Sequence, residues 1–441
     1  MNEASKPKKN PLLAMVADQE RGEPVGFYSI CSANPFVLEA AMQQARADGT
    51  ELLIECTSNQ VDQFGGYTGM TPKQFVGYVK EIAGQMRLPF SRVILGGDHL
   101  GPNAWQNEDV EAAMHKARDL IAAYVEAGYS KIHIDTSMCC AGDPTDADDA
   151  LPPELSADRA ARLCQAAEDA HARAGRSDAL YYVIGTEVPP PGGAVASLAR
   201  GVRPTRVKDA LRTMELTRKA FLRRELGDAW NRIIAVVVQP GVEYGDAEVV
   251  PYNRAKARHL SRLFGRYPGV VYEAHSTDYQ TETSLRRMVE DHFAVLKVGP
   301  WLTFALREAL FALAQMEREL VPPRRRARLA ETLEAVMARH PRHWQKYYHG
   351  SPAEQQYARK YSFSDRSRYY WPEPRLQRAV QRLLRNLRDR PTPLTLLSQF
   401  MPGQYAAVRD RRLGTDPAEL LRHKVREVTA AYARACGMAR H

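Results

Sequence analysis

The fold is decided by a pattern that is clearest at residues 92–101, RVILGGDHLG, where a short apolar run ends in polar residues. The pattern occurs eight times, each time followed by helix-like sequence, and the other stretches are 26–34, 51–59, 131–138, 179–188, 233–241, 269–278 and 292–300. Each run is as long as one strand and rich in Val, Ile and Tyr, which favours strands buried on both faces. Eight successive β-then-α units predict an α/β protein built as a (β/α)8 TIM barrel.

The last part of the chain differs in composition from the first. We expect the barrel in residues 1–320 and, in residues 321–441, a basic, aromatic-rich α-helical extension that packs on the barrel. The extension carries 25 Lys and Arg against 10 Asp and Glu, so the totals of 61 and 52 leave 36 basic and 42 acidic residues for the barrel. Its aromatic residues either fill its own core, or close the barrel mouth or a subunit interface. No nucleic-acid-binding module is recognisable, so no nucleic-acid partner is expected.

Several absences in the sequence bear on the compartment. No apolar run approaches the ~18 residues that a membrane-spanning helix needs, and the first residues lack the apolar segment of a signal peptide. The six cysteines show no CxxC spacing, so neither a zinc ribbon nor a redox pair is indicated. We therefore expect a cytoplasmic protein without membrane association.

Polar side chains follow the predicted strands where the strands end. In TIM barrels the chemistry takes place at the C-terminal ends of the strands, so these residues are expected to converge on one rim. The candidates are Asn34, Glu55, Asn59, Asp98, His99, Asp135, Ser137, Glu187, Gln239, Glu273, His275, Asp278 and Lys297. Carboxylates, histidines, amides and a lysine on one rim predict an active site.

Two histidines at this rim suggest a metal ion. His99 and His275 follow strands three and seven, which can both project toward the barrel centre. With Glu187 and Gln239 as oxygen donors, the set suits a divalent ion, Zn²⁺ first and Mn²⁺ or a similar ion second. The alternative is that both histidines only hydrogen-bond within a polar barrel mouth. His133, inside strand four, is interpreted as structural.

The motifs together resemble a known family. The stretches GGDHLGPNAWQ (96–106), YYVIGTEVPPPGGA (181–194), VYEAHSTDYQ (271–280) and LKVGP (296–300) are similar to those of the accessory, non-catalytic (Z) subunit family of D-tagatose-1,6-bisphosphate aldolase, which has also been labelled tagatose-6-phosphate kinase. The resemblance covers roughly residues 10–410. More distantly, the chain resembles the zinc-dependent class II aldolases, and some members of this wider family are metal-dependent ketose C4-epimerases.

The resemblance implies roles for individual residues. Asp98 and His99 match the Asp-His pair of class II aldolases, in which Asp handles protons and His binds zinc. Glu187 resembles the glutamate before their Gly-Gly loop, and His275 matches their third histidine.

Two positions depart from the class II pattern. Gln239 stands where a second zinc histidine is expected, and STDYQ (276–280) replaces a glycine-rich phosphate loop. A loop without glycines makes a poorer nest of backbone N–H groups for a phosphate. Both departures count against bisphosphate aldolase activity by this chain alone.

Three functions in ketose catabolism of the tagatose or galactitol type remain open. The first is an accessory partner of a class II aldolase catalytic subunit. The second is an enzyme that inverts C4 of a ketose, a ketose phosphate or a ketonate by retro-aldol cleavage and re-addition, with Asp98 as acid/base and Glu55 and Asp135 as further candidates. The third, a purely structural subunit, is least expected, because a scaffold does not need such a rim.

Substrate contacts and assembly follow from the same set of residues. Substrate binding is assigned to Asn34, Asn59, Ser137, Asp278 and Lys297, with Lys297 as a hydrogen-bond donor and less readily as a Schiff-base lysine. An oligomer is expected. The sequence has no GxxxxGK[ST] phosphate loop, which excludes a phosphate-loop kinase.

Overall fold

The eight expected strands form a closed parallel barrel. A computed structural model describes residues 10–144, 151–185, 202–263 and 267–439. The strands pair in chain order and the first closes on the last, with Ser29 opposite Lys297. Their bounds are β1 Phe27–Ile30, β2 Leu52–Thr57, β3 Val93–Leu100, β4 Lys131–Ile134, β5 Tyr181–Ile184, β6 Ile233–Val237, β7 Val271–Ala274 and β8 Phe293–Val298. The predicted (β/α)8 TIM barrel is confirmed, and a short antiparallel pair, Glu243–Tyr244 with Val249–Val250, follows β6.

Helices connect the strands on the outside of the barrel, and caps fix where several of them begin. Asn34 accepts a hydrogen bond from the Phe36 N–H with Pro35 in the first turn, and Thr71 forms a capping box with Gln74. The helices of the first 320 residues are α1 Pro11–Glu20, α2 Pro35–Asp48, α3 Pro72–Gln85, α4 Val110–Ala127, α5 Pro153–Arg173, α6 Val207–Arg223, α7 Gly227–Trp230, α8 Arg254–Ser261, α9 Glu282–Glu290 and α10 Pro300–Leu320.

The extension is helical and shares one hydrophobic core with the barrel. It consists of α11 Leu329–Arg339, α12 Pro352–Tyr361, α13 Pro374–Asp389, α14 Leu394–Phe400, α15 Pro402–Arg409 and α16 Pro417–Ala435. The last helix, α16, packs against α2, α9 and α10, and the Tyr432 hydroxyl donates to the Thr277 carbonyl oxygen at 2.8 Å. The extension therefore completes the outer helical layer, and a domain boundary at residue 320 stays a prediction.

The barrel interior is charged near the C-terminal ends of its strands. Glu55, Lys131 and Glu273 have no exposed surface, and Lys297 is almost as deeply buried. Space for Glu55 exists because its neighbour on β3 is a glycine: a Cβ at Gly96 would lie 2.6 Å from the Glu55 Cγ. A polar interior of this kind is where a TIM barrel places function.

Two further expectations concern membrane-spanning helices and the role of Glu187. Within the four described ranges, no helix is both long and apolar enough to cross a membrane. Glu187 lies outside the described residues, so its predicted role is untested.

Candidate functional site

A cavity opens at the C-terminal ends of the strands, and we call it the mouth cavity. Strands and strand ends contribute Cys31, Thr57, Asp98, His99, His275, Ser276, Asp278 and Lys297 to its lining. The loop after β2 adds Asn59, Gln60 and Tyr67, the hairpin adds Tyr244, and the extension adds Arg368 and Tyr369. The rim predicted from the strand ends therefore exists, and one part of the extension closes over it.

Beneath the mouth cavity lies a network of buried ion pairs that we call the barrel floor: Glu55, Asp98, Lys131, Glu273 and Lys297. The Lys131 Nζ lies 2.6 Å from both Glu55 Oε1 and Glu273 Oε2. The Lys297 Nζ contacts Glu55 and lies 3.0 Å from Asp98 Oδ1 and 3.7 Å from Glu273 Oε1. Each lysine thus bridges carboxylates from different strands.

The floor keeps Asp98, Lys131, Glu273 and Lys297 charged. Burial alone would lower the pKa of Lys131 and Lys297, but the carboxylates around them outweigh it and raise both pKa values. Burial likewise opposes ionisation of Asp98 and Glu273. The cations around them, His99 and Lys297 for Asp98 and the two lysines for Glu273, nevertheless hold both pKa values well below the usual range. A lysine held as an ammonium ion is a hydrogen-bond donor and not a nucleophile, which argues against a Schiff base at Lys297.

Three histidines lie above this floor, and each is paired with its own carboxylate. His99 Nδ1 lies 2.8 Å from Asp135 Oδ2, and His133 Nδ1 lies 2.8 Å from Asp98 Oδ1. His275 Nε2 lies 3.1 Å from Glu273 Oε1. Histidines that bind metal characteristically use one ring nitrogen for such a carboxylate and the other for the ion.

The spacing of the three rings fits a shared ion. The ring centroids lie 4.9 Å apart for His99 and His275, and 5.3 Å apart for His133 with each of the other two. A tetrahedral ion at ~2.1 Å from three ring nitrogens would separate the centroids by about 5 Å. The His133 Nε2 is buried and has no hydrogen-bond partner within the described chain, which a metal ion would supply.

Donor distances and charge support the same interpretation. Ligand atoms of Asp98, His133, Glu273 and His275 lie within 4.8 Å of one another. His99 is not in that compact group, but its ring contacts His275 and its free Nε2 faces Asp98 Oδ2 at 3.6 Å. The floor and Asp135 together supply four acidic side chains against two lysines, so acidic groups are in excess around the histidines.

A local backbone distortion brings Asp98 and His99 to the same cavity. Successive side chains of a strand point to opposite faces, so one of the two would normally face outward. His99 instead has a φ of 50°, and the register of β3 with β4 shifts between Gly97 and Leu100. A non-glycine residue in this region of φ carries backbone strain, which is typical of functional sites.

The structure distributes the predicted residues between the mouth cavity and its surroundings. Asn59, Asp98, His99, His275, Asp278 and Lys297 line the cavity. Glu55 lies beneath it in the floor, while Asp135 binds His99 and accepts the Ser137 hydroxyl. Asn34 caps α2 and lines a neighbouring apolar cavity. The catalytic roles predicted for Glu55 and Asp135 and the substrate contacts predicted for Ser137 and Asn34 stay predictions.

Two metal expectations change with the geometry. Gln239 Oε1 accepts the Gly241 and Val242 N–H groups at 2.8 and 3.0 Å, so this oxygen is already engaged and we leave Gln239 out of the ligand set. His133, interpreted as structural, lies in the cluster instead. The sequence pattern KIHID (131–135) contained the signal, because alternate polar residues in a buried strand point into the barrel.

Two further carboxyl groups near the mouth have perturbed acidity. Burial raises the pKa of Asp278 to about 6, although its Oδ1 accepts the Gly299 and Trp301 N–H groups. Burial also raises the pKa of Glu243, in the hairpin, to about 7. A carboxyl group with a pKa near neutrality can both accept and donate a proton.

The chain matches one family model, and its fold is similar to several solved structures. The family model described as D-tagatose-1,6-bisphosphate aldolase subunit GatZ/KbaZ-like matches residues 12–437. The crystal structure of a "probable tagatose 6 phosphate kinase" from Sinorhizobium meliloti 1021 is 46% identical, covers 93% of this chain and 100% of its own, and has a TM-score of 0.85. The YdjI aldolase from Escherichia coli K12 is 13% identical, with 70% and 86% covered and a TM-score of 0.41. The fructuronate-tagaturonate epimerase UxaE from Cohnella laeviribosi is 13% identical, with 94% and 81% covered and a TM-score of 0.46.

Proposed function

The chain belongs to the GatZ/KbaZ-like family of D-tagatose-1,6-bisphosphate aldolase subunits, and from this premise we propose that its mouth cavity holds one divalent metal ion and a ketose. The reaction that we propose is cleavage and re-formation of the C3–C4 bond, with inversion at C4. The observation that carries the proposal is the buried group of Asp98, His133, Glu273 and His275, whose ligand atoms lie within 4.8 Å of one another, with the His99 ring 4.9 Å from that of His275.

His99, His133 and His275 would hold the ion, which leaves one position open for substrate. Three imidazoles suit Zn²⁺, and the adjacent Asp98 carboxylate also makes Mn²⁺ acceptable. When bound, the ion would supply Lewis-acid polarisation of the ketose carbonyl and its neighbouring hydroxyl.

The proton transfers fall to two carboxyl groups that line the mouth cavity, Asp98 and Asp278. Removal of the C4 hydroxyl proton lets the C3–C4 electron pair leave toward C2 and C3 as C4 becomes an aldehyde. After the aldehyde turns over, the same bond re-forms on its opposite face and the new C4 oxygen takes a proton back. Asp98 is ionised and Asp278 has a pKa of about 6, so the pair can divide the base and acid roles.

The remaining side chains orient these groups. The Lys297 ammonium, 3.0 Å from Asp98 Oδ1, can donate to a substrate oxygen while it keeps Asp98 ionised. Asp135 fixes the ring of His99, and Ser137 donates to Asp135 at 2.6 Å. Glu55 positions both floor lysines without reaching the cavity.

The proposal is tested with the chain purified alone. Bound metal is measured by inductively coupled plasma mass spectrometry, and conversion of D-tagatose, D-tagatose 6-phosphate or D-tagaturonate to its C4 epimer is followed by NMR. We expect about one ion per chain and epimer formation, both lost in His275→Ala. The control is His115→Ala, an exposed histidine of α4. Stoichiometric metal without turnover on any of the three compounds would overturn the enzyme proposal.

The second candidate function is support of a separate catalytic subunit, as the word subunit in the family description suggests. Co-expression with a class II aldolase catalytic chain would then raise its activity or half-life, and the His275→Ala variant would do so equally well. That outcome, without turnover by this chain alone, favours the accessory role. A kinase role has no support from the sequence, which lacks a phosphate loop, and a cytoplasmic location remains a prediction.

A further inference from the structure

We propose that Arg368 forms an anion subsite in the mouth cavity, which selects ketoses with a terminal carboxylate or phosphate over neutral ketoses. This inference deepens the proposed function and rests on it. It assigns to the extension a role in substrate choice, whereas the metal and acid–base groups come from the barrel.

The first support is the way in which the Arg368 guanidinium is held. Its Nη1 donates to the carbonyl oxygens of Ser364 and Asp365, and its Nη2 donates to the Tyr369 hydroxyl at 2.9 Å. All three acceptors are neutral, and no carboxylate in the described ranges forms an ion pair with this side chain. Arg368 is partly buried, and a cation that is partly withdrawn from water without a direct counter-ion carries an electrostatic cost, which an anionic ligand would relieve.

The nearby carboxyl groups are already committed. Asp365 pairs with Arg307 at 3.2 Å and accepts the Thr303 hydroxyl at 2.6 Å. Asp278 accepts two backbone N–H groups, and burial raises its pKa to about 6. Neither group neutralises the guanidinium by direct contact, so the positive charge at this wall of the cavity stays available.

The neighbouring tyrosine responds to that charge. Burial would raise the pKa of Tyr369, yet Arg368 and Arg366 outweigh it and lower this pKa below its ordinary value. The potential around Tyr369 is therefore positive. The other groups that act on Arg368 are the hydroxyls of Tyr67 and Tyr244 and, without direct contact, the carboxyl groups of Asp365 and Asp278. A planar guanidinium with hydroxyls beside it suits bidentate recognition of a carboxylate or a phosphate.

The sequence context gives an independent reason for a subsite here. The loop after His275, STDYQ (276–280), lacks the glycines of a phosphate nest, so the barrel rim provides no such loop at that place. Arg368 lines the same cavity as Ser276 and Asp278 of that loop, but it comes from the extension. The chain thus brings a fixed cation to the side of the cavity where a backbone nest is missing.

The test is calorimetric titration of the Mn²⁺-loaded chain with D-tagatose, D-tagatose 6-phosphate and D-tagaturonate. For the wild type we expect at least one anionic compound to bind at least about 10-fold more tightly than D-tagatose. In Arg368→Gln that preference should fall at least about 10-fold, while the affinity for D-tagatose stays within about 2-fold. Arg368→Lys should keep part of the preference, and Arg378→Gln, the same charge change at an exposed position of α13, should keep all of it.

The affinities of the three compounds distinguish the type of anion and test the inference. Whether D-tagatose 6-phosphate or D-tagaturonate loses more in Arg368→Gln tells phosphate from carboxylate recognition. D-tagatose binding serves as the internal check that Arg368→Gln is folded. The inference is overturned if the wild type shows no preference for charge, or if Arg368→Gln keeps it. Loss of turnover with the preference intact would instead count against the proposed reaction alone.

Discussion

The barrel floor and the Arg368 wall both present cations to the mouth cavity, but they compensate the charge in opposite ways. In the floor, Lys131 and Lys297 each touch two or more carboxylates that strands supply. In the wall, Arg368 touches only neutral oxygens that the extension supplies. The floor therefore has negative charge in excess and suits a metal cation, whereas the wall has positive charge in excess and suits a substrate anion.

The largest expected effect is the loss of the proposed metal ion above the floor in His133→Ala. This change removes the ring whose buried Nε2 has no hydrogen-bond partner in the described part of the chain. Loss of a direct ligand should cost at least about 100-fold in metal affinity, more than the 10–100-fold that is typical of an outer partner. Metal content after dialysis against a graded chelator measures this, and thermal unfolding without metal checks that the variant folds.

The matched comparison for His133→Ala is Asp135→Asn. Asp135 only orients His99 through Nδ1, so its amide should weaken metal binding about 10–100-fold and leave a detectable site. If His133→Ala binds metal as tightly as the wild type does, His133 is structural after all and the three-imidazole site is wrong.

The next effect tests how strongly the buried carboxylates of the floor depend on the lysines that neutralise them. Lys131→Met leaves the buried Glu55 and Glu273 with Lys297 as their remaining shared cation and should cost about 3–5 kcal/mol of unfolding free energy. Arg212→Met removes one partner of an exposed pair with Glu154 and should cost at most about 1 kcal/mol. Urea unfolding of both variants measures the two losses of unfolding free energy. Equal losses would show that the buried ion pairs of the floor stabilise the fold no more than an exposed pair does.

The same contrast explains which residues could be predicted from the sequence. Asp98, His99, His275 and Lys297 could be placed at the rim from short motifs alone, because polar residues at the C-terminal ends of barrel strands converge there. His133 is interpreted from the sequence as structural, because it lies inside an apolar strand, whereas the structure places it in the candidate metal cluster. Counting alternate positions in KIHID would have grouped it with Lys131 and Asp135.

The wall could not be predicted in this way. Arg368 lies in a short 3₁₀ turn, Arg366–Tyr369, that follows Asp365 with a φ of 40°, and no periodic pattern points such a turn at a cavity. Its direction depends on the contact of Asp365 with Arg307 and Thr303 of α10, which joins residues about sixty positions apart. Tertiary packing of this kind leaves no local signal in the sequence.

The buried carboxyl group of Glu243, in the hairpin near the rim, should make the free energy of unfolding depend on pH. Burial raises the pKa of Glu243 from 4.5 to about 7, so this carboxyl favours folding when it is protonated. Its contribution, about 3 kcal/mol, is fully present below about pH 4.5 and is lost as the pH rises through about 7. Glu243→Gln should therefore match the wild type near pH 4.5 and exceed it in stability at pH 8, as urea unfolding at both values would show.

The control for this effect lies on the same hairpin. Glu248 is exposed, so Glu248→Gln should differ from the wild type by the same small amount at both pH values. If Glu243→Gln behaves in the same way, the buried carboxyl of Glu243 is not ionised at a cost, and the hairpin does not contribute to the pH dependence.

The smallest effect concerns the space that the floor needs. A Cβ at Gly96 would lie 2.6 Å from both Cγ and Oε1 of Glu55, so Gly96→Ala must displace a carboxylate that two lysines hold. Overpacking of this kind costs about 1–3 kcal/mol, and the displaced Glu55 should also loosen Lys297 beneath the proposed metal. Gly77→Ala, at an exposed position of α3 with no atom within 4 Å of the new Cβ, should instead stabilise the fold by about 0.5–1 kcal/mol. If urea unfolding shows a lower free energy of unfolding for Gly96→Ala and a higher one for Gly77→Ala, the floor is tightly packed around Glu55. If Gly96→Ala leaves the free energy of unfolding unchanged, Glu55 can move at little cost.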